Sequence, residues 1–280
     1  MQILAAARKL GPIDWHPLQQ PLIMGIINVT PDSFSDGGQF LARQDALAHA
    51  MTLARQGAHI LDIGGESTRP GASLVQEAEE LERVLPAITA IRAENLGCAI
   101  SIDTYKARVA SRALAAGAHI VNDVWGLQRE PDIAKAAADH QAPVIINHWQ
   151  KQIAADVDLI SQMKRFFDKS IEIALTAGLK ADRIILDPGI GFGKSTEENI
   201  DILARLEELC EWGYPLLIGT SRKRFIGSLT GRDPQDRVFG TLASNVIAMM
   251  KGASIFRVHD VAAHKDALAV THAIRKQQRS

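Results

Sequence analysis

Cysteine is scarce in this sequence, which has only Cys98 and Cys210 among its 280 residues. A disulfide scaffold is therefore excluded. One bridge between the two is possible, but we expect two reduced core thiols in a cytoplasmic protein. Long apolar runs are also missing: there is no stretch of about 18 apolar residues, and the N-terminal apolar run is too short for a signal peptide. The sequence therefore predicts a protein without a membrane partner.

An excess of charge of either sign is lacking too. The formal net charge is −1 and no basic block stands out, which argues against nucleic acid as a partner. The sequence has no His-x3-His pair, no cysteine cluster and no Gly-x-Ser-x-Gly turn. Neither a zinc site nor a serine hydrolase is therefore expected.

The segment GIGFGKST at 189–196 looks like a phosphate-binding loop, but its spacing is wrong. The first glycine of a Walker motif falls at Pro188, and the third glycine of the dinucleotide pattern falls at Lys194. What remains is a glycine-rich loop with Phe192 at its tip. Its glycines let a ligand approach the backbone closely.

Eight short apolar runs alternate with segments of helical character. Most runs are continuously hydrophobic, as in parallel strands covered on both faces, and an apolar content of 46% suffices for a sizeable core. Eight strand–helix units without a linker predict an α/β fold, a single (β/α)8 TIM barrel that spans residues 1–280 as one domain. An open doubly wound sheet is the alternative, but it usually has fewer strands and lacks the closing eighth unit. The runs are 22–28, 59–65, 98–103, 119–124, 143–149, 183–189, 215–221 and 254–260.

The helical segments carry signals of their own. In 196–210, an apolar stripe at steps of three and four residues predicts a helix, and its members are Ile200, Leu203, Leu206 and Cys210. Several helices are expected to stop at a glycine just before the next strand, since glycine tolerates the left-handed conformation that ends helices. These glycines are Gly57, Gly117, Gly178, Gly213 and Gly252.

Polar residues stand at the C-terminal end of every predicted strand, the end at which such barrels carry their chemistry. Together they favour a functional site over a purely structural role. In chain order they are Asn28, Asp62, Glu66, Thr68, Arg69, Asp103, Asn122, Asp123, Asn147, His148, Asp187, Ser221, Arg222, Lys223, Arg257, His259 and Asp260.

This set has a basic half and an acidic half. Lys223, Arg257 and His259 follow strands seven and eight, where barrels commonly hold phosphate. The acidic half consists of Asp62, Asp103, Asn122 and Asp187. Its carboxylates would repel one another unless a metal ion or a nitrogen-rich ring meets them, and both alternatives are open on the residues alone. The pattern indicates a ligand with a polar heterocycle at one end and phosphate at the other.

Seven segments, in order and with barrel spacing, resemble the motifs of the dihydropteroate synthase family. The resemblance covers roughly residues 22 to 260 and is more specific than any single pattern. The segments are NVTPDSFSDGG (28–38), GGESTRPG (64–71), SIDTYK (101–106), NDVWG (122–126), LDPGIGFGK (186–194), TSRKRFIG (220–227) and RVHD (257–260).

The resemblance implies a transferase of folate biosynthesis. Members join p-aminobenzoate to 6-hydroxymethyl-7,8-dihydropterin diphosphate, release pyrophosphate and form 7,8-dihydropteroate, with the help of Mg2+. They are homodimers and the targets of sulfonamides.

The resemblance also assigns roles to individual residues. Asp103, Lys223, Arg257 and His259 are expected to be catalytic. Asp62, Asp103, Asn122, Asp187 and Lys223 are expected to hold the pterin ring, with Ser221 close by. Thr68, Arg257 and His259 are expected at the diphosphate, and Asn28 at the magnesium ion. Arg69, Pro70, Phe192 and Ser221 are expected around p-aminobenzoate.

The chemistry of this substrate suggests a mechanism. Charge that develops on the methylene carbon can spread into the reduced ring, so we expect bond breaking to run ahead of attack. Asp103 would then stabilise the cation, while Mg2+, Arg257 and His259 stabilise the departing anion. The amine of p-aminobenzoate is unprotonated at neutral pH and needs no strong general base.

Two segments raise separate hypotheses. Residues 28–38 form a loop too long for a plain turn, and we interpret them as a lid in which Phe34 covers the p-aminobenzoate side. After the fifth strand the chain departs from the family pattern, because Asn147 stands where members often have Met before a histidine, here His148.

Three rival functions share parts of this pattern. They are a pterin-binding methyltransferase, a catalytically silent pterin-binding paralogue and an unrelated phosphate-binding barrel. Thr68, Arg69 and Lys223, together with the other diphosphate residues, argue against the methyltransferase. Pyrophosphate release that requires both substrates separates the synthase from all three.

Overall fold

A ring of eight parallel strands forms the centre of the protein, seen in a computed structural model that describes residues 7–29, 38–67, 73–150 and 157–277. A short antiparallel hairpin of β1 (Arg8–Leu10) and β2 (Ile13–Trp15) precedes the ring. The ring strands are β3 (Leu22–Asn28), β4 (Ile60–Gly64), β5 (Ala99–Asp103), β6 (Ile120–Asp123), β7 (Val144–Asn147), β8 (Ile184–Asp187), β9 (Leu217–Ile218) and β10 (Ile255–Val258).

Helices connect the ring strands and cover their outer faces. Among the helices in the described ranges, none is both long and apolar enough to cross a bilayer. The helices are α1 (Gly38–Gln56), α2 (Glu77–Ala93), α3 (Ala107–Ala115), α4 (Asp132–Asp139), α5 (Leu159–Thr176), α6 (Thr196–Ala204), α7 (Leu206–Cys210), α8 (Arg224–Thr230), α9 (Val238–Met250) and α10 (Val261–Gln277).

The strand order confirms the predicted (β/α)8 barrel. Each of β3 to β7 pairs in parallel with the next strand, and β10 pairs in parallel with both β3 and β9. The ring closes between β8 and β9 through a parallel bridge of Leu186 with Leu216, supported by the Leu186 amide, which donates to the Pro215 carbonyl at 3.0 Å. This closure excludes the open doubly wound sheet.

Alternate side chains of each strand point into the barrel or out toward the helices. The inward residues at the N-terminal end form a fully buried apolar layer, and the outward residues pack in the larger cluster beneath the helices. The inward layer consists of Leu22, Met24, Ile60, Ala99, Ile120, Ile145, Ile185, Leu217 and Ile255.

The hairpin of β1 and β2 closes the N-terminal end of the barrel, a feature that the sequence did not predict. Leu10 and Trp15 are both 0% exposed and pack in the same cluster as the inward apolar layer. The Trp15 indole donates to the Gln20 carbonyl at 2.8 Å, and the Arg8 Nη1 donates to the Ile184 carbonyl at 3.2 Å. The hairpin is thus a floor that keeps water out below the apolar layer.

The helix predicted over 196–210 is interrupted. α6 ends at Ala204, and α7 begins at Leu206 with a different face inward. Ile202, Leu206 and Leu209 are buried, whereas Ile200 is 41% exposed, so the predicted stripe is wrong at Ile200. The predicted glycine stops adopt positive φ, as at Gly57 (φ 101°) and Gly117 (φ 112°).

Both cysteines are free thiols. Cys98 Sγ donates to the Ala58 carbonyl at 3.1 Å, and Cys210 Sγ donates to the Lys251 carbonyl at 3.3 Å. Burial raises the pKa of both thiols, that of Cys210 to about 11. The two cysteines are therefore unpaired as expected, but they are partly buried against the core and not fully inside it.

The hairpin floor predicts a large loss of stability on truncation of its central side chain. Trp15→Ala is expected to lower the free energy of unfolding by about 3–5 kcal/mol, because it opens a cavity in a layer that cannot collapse. Urea denaturation measures this loss. The exposed hairpin residue Asp14 is the control, and Asp14→Ala is expected to cost less than about 0.5 kcal/mol. Equal, small losses for both variants would show that the hairpin does not support the barrel.

Candidate active site

A polar layer lies directly above the apolar layer, toward the C-terminal ends of the strands. Its side chains occupy inward positions, two or four residues after an inward apolar residue on the same strand. On β4, for example, Asp62 follows Ile60. The layer comprises Asn28, Asp62, Ser101, Asp103, Asn122, Asn147, Asp187 and Arg257.

Arg257 joins two carboxylates of this layer. Its Nε donates to Asp62 Oδ2 at 2.6 Å, and its Nη2 donates to Asp103 Oδ2 at 2.7 Å. Asp62 is 0% exposed and Asp103 is 13% exposed, so both ion pairs are shielded from water. The acidic and basic halves that the sequence separated are therefore in direct contact, and the cation that meets the carboxylates belongs to the protein itself.

Asn122 and Ser101 complete the acidic side. Asn122 Nδ2 donates to the same Asp62 Oδ2 at 3.2 Å. Asp62 Oδ1 and Ser101 Oγ are buried and have no hydrogen-bond partner among the described residues. Sequence reasoning did not select Ser101, although the alternation from Ala99 through Ser101 to Asp103 on β5 marks it as inward. The unpaired oxygens point to a donor-bearing ligand or water at this level.

Burial shifts the pKa of two carboxylates of the layer, Asp103 and Asp187. Burial raises the pKa of Asp103 to about 7; Arg257 lowers that pKa, and the charge of Asp62 raises it. Burial likewise raises the pKa of Asp187 to about 6, although its Oδ1 accepts the Gly189 amide at 2.8 Å. Such shifts are common where side chains take part in chemistry.

Lys223 stands on the opposite side of the mouth, after β9. Its Nζ lies 3.9 Å from the centre of the Phe192 ring, a cation–π contact that joins two of the predicted site residues. Burial and the neighbouring charge of Arg257 lower the pKa of Lys223 to about 8. A Cβ at Gly191 would come within 2.7 Å of the Lys223 side chain, so this loop glycine is needed for the contact.

Lys194 holds the glycine-rich loop in place. Its Nζ donates to the carbonyls of His148, Gly189 and Phe192 at 3.0–3.2 Å. Sequence reasoning used Lys194 only to reject a dinucleotide motif and missed this function. Asn199 supports the same loop, since its Oδ1 accepts the Gly191 amide at 2.7 Å. Lys194 and Asn199 therefore hold the loop backbone on both sides of the Phe192 side chain.

Ser221 and His259 form a pair at the ends of β9 and β10. Ser221 Oγ lies 2.9 Å from His259 Nδ1, and it also accepts the His259 backbone amide at 3.1 Å. Beside them, Arg222 donates through Nη2 to Asp260 Oδ1 at 2.7 Å. This ion pair ties together the two loops that carry Ser221 and His259.

Asp123 turns away from the barrel. Its two carboxylate oxygens accept the amides of Trp125 at 2.8 Å and Leu127 at 2.7 Å. Asp123 therefore shapes the loop after β6, while its neighbour Asn122 faces the site. The sequence placed both at the strand end, and the alternation of the strand separates their roles.

A buried cluster anchors the loop after β4. Lys106 Nζ binds Glu66 Oε2 at 2.5 Å and also pairs with Glu80, and Arg83 Nη1 donates to the Gly65 carbonyl at 2.7 Å. The predicted site residues Thr68, Arg69 and Pro70, which follow Glu66, lie outside the described residues. Most of the predicted lid, residues 30–37, lies outside them as well.

Asn28 ends β3 at the rim of the polar layer and is partly exposed. In the part of the chain that the structure describes, no three His, Cys, Asp or Glu side chains form a cluster suited to a metal ion. An amide oxygen at an open rim fits Mg2+, which keeps several waters and binds through one or two protein groups plus substrate phosphates. The donor set thus fits an ion that arrives with a phosphorylated ligand.

Comparisons with known proteins agree with this geometry. The sequence profile of the family described as "Pterin binding enzyme" matches residues 24–259. The dihydropteroate synthase of Bacillus subtilis (strain 168) is 48% identical over 243 residues, which are 87% of this chain and 85% of the relative. The crystal structure of the Clostridium difficile dihydropteroate synthase in the presence of pteroic acid has a TM-score of 0.89 at 49% identity, covering 92% of this chain and 97% of that one. The Xanthomonas albilineans dihydropteroate synthase with 4-aminobenzoic acid has a TM-score of 0.87 at 47% identity, covering 92% and 94%.

The shared guanidinium predicts a strong dependence of stability on Arg257. Arg257→Met is expected to lower the free energy of unfolding at pH 8 by about 3 kcal/mol, because it leaves Asp62 and Asp103 facing each other without a cation. Adding Asp62→Asn to this variant is expected to recover part of the lost free energy of unfolding, because it removes one of the two facing charges. Urea denaturation measures the free energy of unfolding of both variants. As control, Arg108→Met breaks the exposed pair with Glu77 and should cost less than about 1 kcal/mol. Similar costs for the two arginines would contradict the role given to Arg257.

Proposed function

The chain belongs to the dihydropteroate synthase family of pterin-binding enzymes, and from that premise we propose how its own residues divide the reaction. It is a transferase of folate biosynthesis that condenses 6-hydroxymethyl-7,8-dihydropterin diphosphate with p-aminobenzoate to give 7,8-dihydropteroate and pyrophosphate. The observation that carries the proposed roles is the polar layer, in which Arg257 is bonded to Asp62 and Asp103. We further propose that the whole chain is one domain.

The acidic side of the layer binds the pterin ring in this proposal. Asp62, Asp103 and Asn122 lie on the adjacent strands β4, β5 and β6, and Asp187 lies on β8; all four occupy inward positions. Amino-pyrimidine edges carry adjacent N–H donors, which carboxylates accept in pairs. The unpaired Asp62 Oδ1 supports this assignment, since a donor-bearing ring satisfies it. Lys223 closes the ring site from the side of β9.

The basic side receives the diphosphate. Arg257 donates through Nε and Nη2 to Asp62 and Asp103. In this proposal its remaining nitrogen, Nη1, donates to an oxygen of the diphosphate. His259 is held in place by Ser221 and is proposed to contact the diphosphate beside Arg257. Thr68, in the loop after β4, is proposed to contact the diphosphate as well. Asn28 is the residue proposed to hold Mg2+, which when bound would neutralise charge on the departing pyrophosphate.

The reaction requires one C–O bond to break and one C–N bond to form. As the bond between the methylene carbon and the diphosphate oxygen breaks, positive charge spreads into the reduced ring. In this proposal the Asp103 carboxylate stabilises that charge, while Arg257 and His259 stabilise the leaving anion. The p-aminobenzoate nitrogen then attacks the carbon with its lone pair and loses a proton to water.

The p-aminobenzoate side is proposed to lie around Phe192 and Ser221, with Arg69 and Pro70. Lys194 and Lys223 fix Phe192 from its backbone and its ring face, which supports a rigid wall for an aromatic substrate. Sulfonamides are analogues of p-aminobenzoate and are proposed to compete at this wall. The lid role of residues 28–38 also remains a proposal.

We also propose a cytoplasmic homodimer. Free thiols at Cys98 and Cys210 support a reducing compartment. The neighbouring helices α9 and α10 expose large apolar side chains to solvent, a pattern typical of a surface covered by a partner. These side chains are Phe239 at 80%, Ile247 at 51%, Met250 at 40%, Val270 at 62% and Ile274 at 53% exposure.

The function predicts that the purified protein releases pyrophosphate only when both the pterin diphosphate and p-aminobenzoate are present. Asp103→Asn is expected to lower kcat about 10²-fold while the variant still binds the pterin, because it removes charge that acts on the transition state. The rate of the wild type is expected to fall as pH drops from about 7 to 6, since Asp103 (pKa about 7) and Asp187 (pKa about 6) lose their charge. A coupled pyrophosphate assay measures all three effects.

The control for these measurements is Asp123→Asn. Burial also raises the pKa of Asp123 to about 7, but its carboxylate faces away from the barrel. The variant is therefore expected to keep the acid limb of the pH profile. Pyrophosphate release that ignores p-aminobenzoate would overturn the synthase function, and pterin binding without turnover would favour the silent paralogue. Wild-type turnover in Asp103→Asn would remove that residue from catalysis.

The homodimer predicts that a charge on the exposed face of α9 separates the subunits. Ile247→Glu is expected to convert a dimer into a monomer of about half the mass in sedimentation velocity, because it buries an unpaired carboxylate. Leu175→Glu is the matched control, since Leu175 is a similarly exposed apolar residue, 45%, on α5. A wild type that already sediments as a monomer would contradict the assembly.

A further inference from the structure

Asn147, at the end of β7, faces the barrel interior. It follows Ile145 of the inward apolar layer by two residues, whereas Val144 and Ile146 pack outward under the helices. Its partner in the parallel register is Asp187, on the neighbouring strand β8. The side chain is therefore a member of the polar layer, beside a proposed pterin-binding carboxylate.

One hydrogen bond fixes the orientation of the Asn147 amide. Its Nδ2 donates to the Val124 carbonyl at 2.9 Å, a bond that is fully buried. A carbonyl oxygen only accepts hydrogen bonds, so the amide cannot be turned around without placing two acceptors against each other. Nδ2 therefore faces the loop after β6, and Oδ1 faces away from it.

Asn147 Oδ1 has no hydrogen-bond partner among the described residues, although Asn147 is only 2% exposed. Proteins rarely bury an amide oxygen without a hydrogen-bond donor, because the oxygen then loses its hydrogen bonds to water without gaining others. A Met side chain at this position would fill the same wall without any such need. Asn147 Oδ1 is therefore able to accept a hydrogen bond from a ligand or a water at this level of the barrel.

We infer that Asn147 is an additional specificity-determining residue of the pterin site, whose Oδ1 accepts a hydrogen bond from an N–H of the ring. The inference rests on the proposed function and adds a contact to it. The acceptors of Asn147 and Asp187 stand side by side on adjacent strands, which matches the two adjacent N–H donors of an amino-pyrimidine edge. The bond to Val124 sets the angle of the acceptor before the ring arrives.

The test replaces the amide with Met, an unbranched apolar side chain that can fill the same space without a hydrogen bond. Asn147→Met is expected to raise KM for the pterin diphosphate about tenfold, the equivalent of ~1.4 kcal/mol, with KM for p-aminobenzoate unchanged and kcat within about twofold. Calorimetry with 6-hydroxymethylpterin alone is expected to show the same tenfold loss of affinity. A general loss of packing would change KM for both substrates, so a change in KM for the pterin diphosphate alone points to a contact with the pterin.

The matched control is Gln128→Met. The Gln128 amide donates to the Phe166 carbonyl at 3.1 Å and to Ser170 Oγ at 2.9 Å, between the loop after β6 and helix α5 and outside the barrel. This variant removes both bonds, one of them to a backbone carbonyl as in Asn147, and is expected to keep both KM values. Thermal unfolding of all three proteins shows that each is folded at the assay temperature.

A second measurement identifies the hydrogen bond itself. Pterin analogues in which one ring N–H is replaced by C–H are titrated into wild type and Asn147→Met. For one analogue the wild type is expected to lose about tenfold in affinity relative to the pterin, while Asn147→Met binds both equally. Equal pterin KM in wild type and Asn147→Met, or unchanged discrimination among all analogues, overturns the inference. Absence of turnover in the wild type and in Gln128→Met overturns the proposed function instead.

Discussion

Two carboxylates and one guanidinium share the interior of this barrel, and the site depends on their balance. Asp62 and Asp103 are on adjacent strands and would repel each other there without a cation. Arg257 bonds to both from the other side of β3, and Asn122 adds a donor to Asp62. The free protein can thus keep acidic groups in a dry site, while the guanidinium keeps donors for an anion. In the proposed function, Arg257 thereby positions the ring site relative to the diphosphate site.

The barrel supplies this balance through simple alternation along its strands. On seven of the eight ring strands, an inward position near the N-terminal end is apolar and one two or four residues later is polar, so the polar layer rests on the apolar one. The hairpin with Trp15 seals the apolar layer from below. Because water is excluded from that side, the carboxylates are approached only through the mouth, and burial raises the pKa of Asp103 and Asp187. The fold therefore creates the electrostatics of the site as well as its geometry.

Much of this arrangement could be predicted from the sequence, because continuous apolar runs and strand-end polar residues are local signals. All eight strands were located, and Asp62, Asp103, Asn122 and Arg257 were placed at one mouth. Contacts between strands far apart in the chain are not local, so the bond between the acidic and basic halves was missed. The three-residue strands of the hairpin are too short for a periodic pattern. Lys194 was missed because its partners are backbone carbonyls, which no side-chain pattern reveals.

Some side chains of the site have hydrogen-bond partners within the protein, and others have buried oxygens without a donor. Asn122, Lys194 and Ser221 have partners that hold them in position. Asp62 Oδ1, Ser101 Oγ and Asn147 Oδ1 are buried and lack such partners among the described residues. Because each unpaired oxygen costs free energy in the free protein, a ligand that brings donors to them regains that cost on binding. The adjacent N–H donors of an amino-pyrimidine ring meet this requirement, which is why the proposed function places the pterin at these oxygens.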